Sequence, residues 1–449
     1  MTYDAIVVGG GLAGLTAAYR LQTEGASVLA LEASDRPGGR VLNEYLNGNP
    51  VEGGGEWVNP ESEQYVDLIR EVGGDVYPVR EGGDSIWHYE GENVRYSDWK
   101  PPLNGDDSAF LHAVEALQAI AADIPIDAPW DAERAVDLDR RTVAEFLDAE
   151  AGDAAARAYL DVRMQMTYGL APSRVSLLYA AAAVASFGLP WSQAVRGALR
   201  VKGGPQDVAI RLAERLGDSM RYGSPVLAID NSTRGEVRVV TPNGTHLARR
   251  VVVAMNPLDA RLIDFTPELP PRRELLHRQT QNGLVIKMHL LYETPFWRDA
   301  GLSGGSVSDL SALPCTFDNT PDGVTDIGIL GGFVGHHGSH SRNLGLPHGF
   351  FDDAAKRREL VVESIARRFG PEAHNYLEYR ETDWLREPYI SCVDSPMPPG
   401  LMTLVGDATV APCGDIHWAS SEMSLRYRGS MAGAVHEGAR AATEVLAGL

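Results

Sequence analysis

Residues 3–40 read Tyr3-Asp-Ala-Ile-Val-Val8, Gly9-Gly-Gly11-Leu12-Ala13-Gly14, a glycine-free stretch to Gly25, Ser27-Val-Leu-Ala-Leu-Glu32-Ala33, and Arg36-Pro-Gly38-Gly39-Arg40. The order of an apolar run, a glycine-rich turn, a helical stretch, a second apolar run and an acidic residue predicts a strand-turn-helix-strand unit that holds a dinucleotide. Gly9 permits the tight turn, Gly11 lets the backbone approach a pyrophosphate, and Gly14 lets helix and strand pack closely. The helix N-terminus at Leu12 and Ala13 then presents free N–H groups and a positive dipole end to the phosphates. Glu32 stands where a carboxylate accepts hydrogen bonds from a ribose diol and repels a 2′-phosphate, which disfavours NADP. NAD dehydrogenases do not need the second loop that Gly38 and Gly39 form over the pyrophosphate, and Arg40 adds a planar fork suited to phosphate oxygens, so FAD is favoured.

Composition narrows the partners. A length of 449 residues with 44% hydrophobic content supports a core larger than one domain needs. The net charge of −21 and pI near 5.0 repel phosphate backbones and anionic lipid surfaces, so neither nucleic acid nor membrane is an expected partner. Three cysteines make no disulfide framework and fit a reducing compartment. The first strand begins at Tyr3, which leaves no room for a signal peptide, and no run approaches about 18 apolar residues. These features predict a cytoplasmic protein, a homodimer being compatible with them, and no metal is expected.

The chain shows no repeat and no low-complexity tract; its organisation is interleaved. Residues 1–78 form the first part of an FAD-binding domain, ending near Gly73-Gly74 and Pro78. Residues 79–201 form a largely helical first part of a substrate domain, with apolar residues at helical spacing (Val143, Phe146, Leu147; Leu177, Leu178, Ala181, Ala182, Ala185). Residues 202–279 return to the FAD-binding domain, with a helix over Val208 to Leu216, strands over Val226–Ile229, Glu236–Val240 and Val251–Ala254, and a hairpin turn at Pro242-Asn-Gly244. Residues 280–391 are the β-rich second part of the substrate domain, with a helix over Lys356 to Phe369, and residues 392–449 complete the FAD-binding domain, Met402 to Val405 being read as its strand. Such interleaving places a ligand between two bodies, where water can be excluded.

The segment Ile6 to Arg40 resembles the N-terminus of the FAD-dependent amine oxidoreductases, the family of monoamine oxidases, polyamine oxidases and L-amino acid oxidases. The likeness continues through Glu52-Gly-Gly54-Gly55-Glu56-Trp57-Val58, Lys202-Gly-Gly204 leading to Ser224-Pro-Val226, Val251-Val-Val-Ala254, Phe265-Thr-Pro-Glu-Leu-Pro270, Val285-Ile-Lys287, Trp384, Gly406-Asp407 and Gly429-Ser430-Met431. It implies an α/β fold in which a Rossmann-like FAD-binding domain is interleaved with an α+β substrate domain. It also implies that Gly54, Gly55, Glu56, Trp57, Val226, Trp384, Gly406, Asp407, Ser430, Met431 and Ala434 join Gly9 to Gly14, Glu32, Ala33, Gly39 and Arg40 around the cofactor.

Lys287 lies mid-strand in Leu284-Val-Ile-Lys-Met-His-Leu290, with His289 on the same face by the period of two. From the residues alone that face reads as solvated; in the enzymes it resembles, the lysine of this segment holds a water beside flavin N5, which makes Lys287 the catalytic candidate. A fixed cation there stabilises charge that develops during flavin reoxidation. The helix that starts at Gly429 would aim its positive end at the flavin.

Three departures from the family pattern bear on the substrate. Cys392 agrees with the family's flavin-linking cysteine when counted back from Pro398-Pro399-Gly400, and falls one residue early when counted forward from Trp384. The two aromatic rings that flank the flavin in amine oxidases correspond to Val393 or Asp394 and to Ser430. The stretch from Asp407 to Gly429 reads as longer than in those enzymes, so Trp418 or Tyr427 would rebuild the cage from it, or the substrate is not a simple arylalkylamine. The function that follows is removal of a hydride from a C–H next to nitrogen in an amine-type small-molecule substrate, with electrons passed to O2 and H2O2 released. The alternative is a flavin-dependent desaturase or tailoring oxidase acting on a bulky secondary metabolite.

Overall fold

The computed structural model describes residues 2–97, 101, 103, 108–188, 197–283, 285–309, 312–334 and 350–449. Leu284 of the lysine-bearing segment and residues 189–196 of the helical part of the substrate domain lie outside them. One sheet of eight described strands runs in the order Met220–Arg221, Val28–Leu31, Thr2–Val8, Gly244–Val253, Glu236–Thr241, Ala228–Thr233, Asp264–Thr266, with Ile416–Trp418 also paired to Gly244–Val253. Its centre is parallel, Ile6 lying between Leu29 and Val251 in register. Strands covered on both faces carry continuous rather than alternating apolar runs, and Ala5 to Val8 and Val28 to Leu31 are buried throughout. The first helix, Leu12–Thr23, lies against the last, Met431–Gly448, so closely that a Cβ on Gly438 would stand 2.2 Å from Ala13 O.

The second sheet has seven described strands in the order Glu378–Asp383, Ile286–Tyr292, Gly328–Val334, Cys315–Asp318, Leu302–Ser308, Asp84–Tyr89, Glu92–Tyr96. Ile286–Tyr292 has antiparallel neighbours on both sides, and all seven of its residues are buried. The Lys287 and His289 face is therefore not solvated. Alternation alone cannot tell a face open to water from one covered by the rest of the fold. Helices Ser108–Ala122, Val143–Glu150, Ala154–Tyr168 and Leu177–Phe187 form an apolar body continuous with part of the first sheet's core. The third opens on the Asp153 side chain and the fourth on that of Ser176. Among the described residues no helix is long and apolar enough to cross a membrane.

One element differs in kind from its sequence reading. Leu401–Val405 is a helix, with Leu401, Met402 and Val405 buried and Leu404 exposed, a helical rather than alternating spacing. The Asp139 carboxylate accepts from Thr403 N at 2.8 Å and from its hydroxyl at 2.8 Å, which fixes that first turn. The strand that returns to the nucleotide-binding sheet is Ile416–Trp418, paired in parallel with Val251 to Val253. What the sequence offered as an insertion is part of the sheet.

Candidate active site

A cavity of about 630 Å³ takes its walls from both sheets. At one end the turn after Thr2–Val8 puts Gly9 to Ala13 in the wall. No side chain caps the helix that follows, so its first N–H groups keep their donors for a ligand. A Cβ on Gly11 would find only Gly38 O, at 3.9 Å, so this position opens onto free space. Glu32 accepts from Gly10 N at 2.6 Å and from Ser34 N and Oγ at 2.8 and 2.7 Å. Its carboxylate is thereby fixed at the cavity edge beside Ala33, with Val226 also in the wall.

Gly39 and Arg40 line the same cavity, but the Arg40 fork is not left open for a phosphate. It grips the Glu422 carboxylate through both terminal nitrogens and also donates to Val393 O at 2.8 Å and Ser421 Oγ at 3.2 Å. Burial works against the charge on Glu422, yet Arg40 holds its carboxyl below the usual carboxylate range.

Lys287 is 1% exposed and reaches into the wall from the strand next to one edge of the second sheet. Its Nζ donates to Glu56 Oε2 at 2.7 Å and to Gly54 O at 3.0 Å. Rings of Trp57, Phe317 and Phe333 stand 5.6, 5.5 and 5.8 Å from the ammonium. Asn319 joins the pair to a second one, donating to Glu56 at 2.7 Å and to Glu52 at 3.2 Å, while Arg200 grips Glu52. Burial pushes the Glu56 carboxyl up against the pull of Lys287. Two cations and two carboxylates thus balance inside the fold, and the ammonium is held rather than free to rotate. His289 on the same strand is pushed well below the ordinary histidine value by burial and by Lys287 and Arg200, so it stays neutral.

Gly54, Gly55, Glu56, Trp57, Trp384, Val393, Ser430, Met431 and Ala434 all line the cavity. Trp384 Nε1 donates to Gly53 O at 2.9 Å, pinning the strand-end glycines beside it. Ser430 turns its hydroxyl inward to its own helix, accepting from Gly433 N at 3.1 Å and donating to Tyr427 O at 2.6 Å.

Six expected residues lie outside the wall, the first being Gly14, which packs behind the turn, where a Cβ would stand 1.9 Å from Gly9 O. Gly406 and Asp407 follow the helix Leu401–Val405 outside the cavity wall, and Asp407 pairs at the surface with Arg272 at 2.9 Å. Trp418 is 1% exposed and stacks under the Arg273 guanidinium, 3.7 Å from its ring centroid, because the strand turns this side chain to the core. Tyr427, held at φ +52°, packs on Phe187 and donates to Glu61 O at 2.8 Å, also outside the wall. Cys392 is fully buried with Sγ 3.0 Å from Ser395 Oγ, outside the wall; burial pushes its thiol up, away from the thiolate.

Among the residues that sequence reading missed are Ser420 and Ser421 in the wall and Glu422, which holds Arg40 from behind it, together with Met166, Thr167 and Phe333. The first three had a signal: Ile416 and Trp418 alternating about His417, followed by small residues shortly before the last helix.

The cavity and its walls define a flavoprotein oxidoreductase. A glycine-lined cradle under a helix N-terminus, a carboxylate at the ribose position, a second glycine loop and a buried lysine at the far end are the groups FAD needs, and they converge on one space. The chain belongs to the flavin-containing amine oxidoreductase family, whose model matches residues 12–446. It is 34% identical to a putative flavin-containing monoamine oxidase, AofH, of Mycobacterium tuberculosis, over 99% of this chain and 97% of that one. A solved structure of putrescine oxidase bound to putrescine superposes with a TM-score of 0.93 at 30% identity, covering 100% of this chain and 99% of that one. Cyclohexylamine oxidase from Brevibacterium oxydans gives 0.91 at 28% identity, covering 100% and 99%. The protein is accordingly a flavin-containing amine oxidoreductase that uses FAD.

Proposed function

We propose that this enzyme is an oxidase that takes a hydride from a C–H adjacent to nitrogen in an amine and returns the electrons to O2 as H2O2. FAD, when bound, supplies the hydride acceptor and the path of electrons to oxygen. The chain's residues supply position and charge. Gly9 to Gly14 and Glu32 seat the nucleotide, and Gly39, Gly54, Gly55, Val226, Trp384, Met431 and Ala434 shape the rest of the cavity. Arg40 acts through Glu422, tying the second glycine loop to the segment before the last helix.

The observation that carries the reading is Lys287: a buried ammonium in the cavity wall, fixed by Glu56 and Gly54 O and walled by three rings. A preorganised cation stabilises negative charge developing beside it and can orient a water. Lysine is scarce in this chain, at positions 100, 202, 287 and 356 against 40 Lys and Arg together. The choice of a compact, strongly hydrated ammonium over the guanidinium used almost everywhere else supports a water-holding role.

The test is a peroxide and oxygen-electrode screen of the purified yellow protein over primary, secondary and cyclic amines, amino acids and bulkier nitrogen-containing metabolites. Stoichiometric H2O2 with one of them is the expected result. Flavin reduction by an amine with no peroxide under air would make the enzyme a dehydrogenase. Desaturation of an amide or carbon skeleton, with no amine active, would favour the tailoring reading that the absent rings at Val393 and Ser430 invite.

A further inference from the structure

Asp394 lines the cavity next to Val393 and opposite Gly429, whose Cα side comes close to its carboxylate: a Cβ there would lie 3.7 and 3.9 Å from Oδ1 and Oδ2. The backbone is fixed on both sides, since Gly283 N donates to Asp394 O at 2.9 Å and Val393 N to Gly283 O at 2.8 Å. The only hydrogen bond to the carboxylate among the described residues comes from Ser395 N at 2.9 Å. The charged and titratable groups around it come from every neighbouring element. Arg40 lies on the second glycine loop, Glu422 and Arg428 lie before the last helix, and Tyr168 and Tyr179 come from two helices.

Neither arginine is available to it. Arg40 grips Glu422, and Arg428 donates to Glu422 O at 2.8 Å with its guanidinium over the Tyr179 ring at 5.5 Å. No described cation comes within ion-pair distance of Asp394, in a wall that small side chains leave open. A half-buried carboxylate without a counter-ion is costly unless something cationic completes it.

We infer that Asp394 binds the nitrogen of the substrate as an ammonium ion, which makes it a specificity-determining residue of this cavity. The inference rests on the reading that an amine is oxidised here. At neutral pH an alkylamine with a proton affinity near that of lysine, about 10.4, is almost wholly cationic, so a site that binds only the free base sees a small fraction of it. A carboxylate in the wall captures the dominant form. Oxidation needs the nitrogen lone pair, so a proton must leave before the C–H bond breaks. The paired carboxylate takes that proton, the N–H bond breaking with its electrons left on nitrogen and an O–H bond forming.

Burial and the nearby Glu422 push the Asp394 carboxyl up to about 7, with Arg40 opposing. Ammonium binding should therefore weaken as pH falls through that value, because the protonated carboxyl no longer offers a charge.

The experiment uses tert-butylamine, which has no α C–H and cannot be oxidised, titrated into FAD-loaded enzyme while the flavin absorption band is followed from pH 6 to 9. For the wild type the dissociation constant should stay within roughly threefold between pH 7.5 and 9 and rise below pH 7. Asp394→Asn should bind more weakly at pH 7.5, and its dissociation constant should fall about tenfold per pH unit as free base accumulates. Asp394→Glu should restore the flat profile.

A wild-type dissociation constant that falls tenfold per unit, identical profiles for wild type and D394N, or no binding to the wild type at any pH overturns the inference. If D394N fails to retain FAD, the wild-type and D394E profiles decide. Amine oxidation itself is judged by the peroxide screen, so these failures leave that reading standing, and failure of the screen is seen separately.

Discussion

Arg40 and Glu422, 382 residues apart, form an ion pair in which both guanidinium ends meet both carboxylate oxygens. The pair joins the second glycine loop to the segment that follows the strand Ile416–Trp418, closing the wall of the cofactor cavity where the chain returns to its first sheet. Glu422→Gln leaves Arg40 charged without its partner. For a wholly buried pair the loss is about 3–5 kcal/mol; with the Arg40 side chain 28% exposed, about 2 kcal/mol is expected. The double variant Arg40→Met/Glu422→Leu should recover much of that loss, because it removes both charges together. Denaturant unfolding of the FAD-loaded single and double variants measures the difference, and equal losses in both would show that the pair does not hold this wall.

The Lys287 ammonium is placed for the oxygen half of the reaction rather than for seating the substrate, being fixed by Glu56 and Gly54 O. Lys287→Met should slow reoxidation of the reduced flavin by O2 at least tenfold while slowing reduction by substrate much less. Stopped-flow measurement of the two half-reactions separates them. Because Met leaves Glu56 buried with only the longer, 3.6 Å pairing to Arg200, Lys287→Met/Glu56→Gln should be more stable than the single variant yet equally slow in reoxidation. Equal slowing of both halves would reduce Lys287 to a strand residue.

How far these elements were legible in the sequence depended on how local their causes are. The turn from Gly9 to Gly14 and the acidic Glu32 are set by neighbours along the chain, and Gly9 to Ala13 and Glu32 fall in the cavity wall. Lys287 could be placed on a strand, but its burial comes from strands 41 to 96 residues further on, Gly328–Val334 and Glu378–Asp383, and no local pattern reports them. Leu401–Val405 and Ile416–Trp418 are both short, mostly apolar segments, each with one polar residue, and such short segments do not separate helix from strand. Only the pairing of Ile416 with Val251 decided which belonged to the sheet, and that choice moved Asp407 and Trp418 out of the site, brought Ser421 into its wall and set Glu422 against Arg40. Cys392 and Val393 are adjacent in an extended segment, so one residue of register puts Val393 in the wall and the thiol in the core.

His277 gives a pH dependence of stability whose sign is fixed. It is fully buried between Arg273 and Trp418, and burial together with Arg273 lowers it to about 3. The unfolded chain takes up the proton near pH 6.5 and the folded one does not, so this residue withdraws stability as pH falls below 6.5. Between pH 7.5 and 5.5 the withdrawal amounts to about 1.4 kcal/mol. In His277→Gln that part of the acid slope should vanish, whatever the variant costs at pH 7.5. Chemical unfolding of both proteins at the two pH values gives the comparison, and parallel slopes would mean that His277 is protonated in the fold.

The last prediction concerns the rings missing from the cavity wall. Val393 and Ser430 stand there without aromatic side chains, and neither Trp418 nor Tyr427 reaches the cavity to replace them. The rings that do line it, Trp57, Phe333, Trp384 and Tyr389, come from other parts of the wall, and Trp57 and Phe333 are gathered around Lys287. A cavity that is wide and partly polar at this face admits a bulky amine but leaves a small arylalkylamine several ways to lie, and loose placement costs about a hundredfold in rate. Benzylamine and phenethylamine should therefore give kcat/KM values about a hundredfold below that of the best bulky amine found in the peroxide screen. Ser430→Tyr narrows the face by a ring, so it should cut turnover of that bulky amine while raising the relative rate with benzylamine. Steady-state oxygen consumption with the three amines on both proteins decides it. Efficient oxidation of benzylamine by the wild type, or an unchanged ranking in the variant, would show that the face at Val393 and Ser430 does not set the choice of substrate.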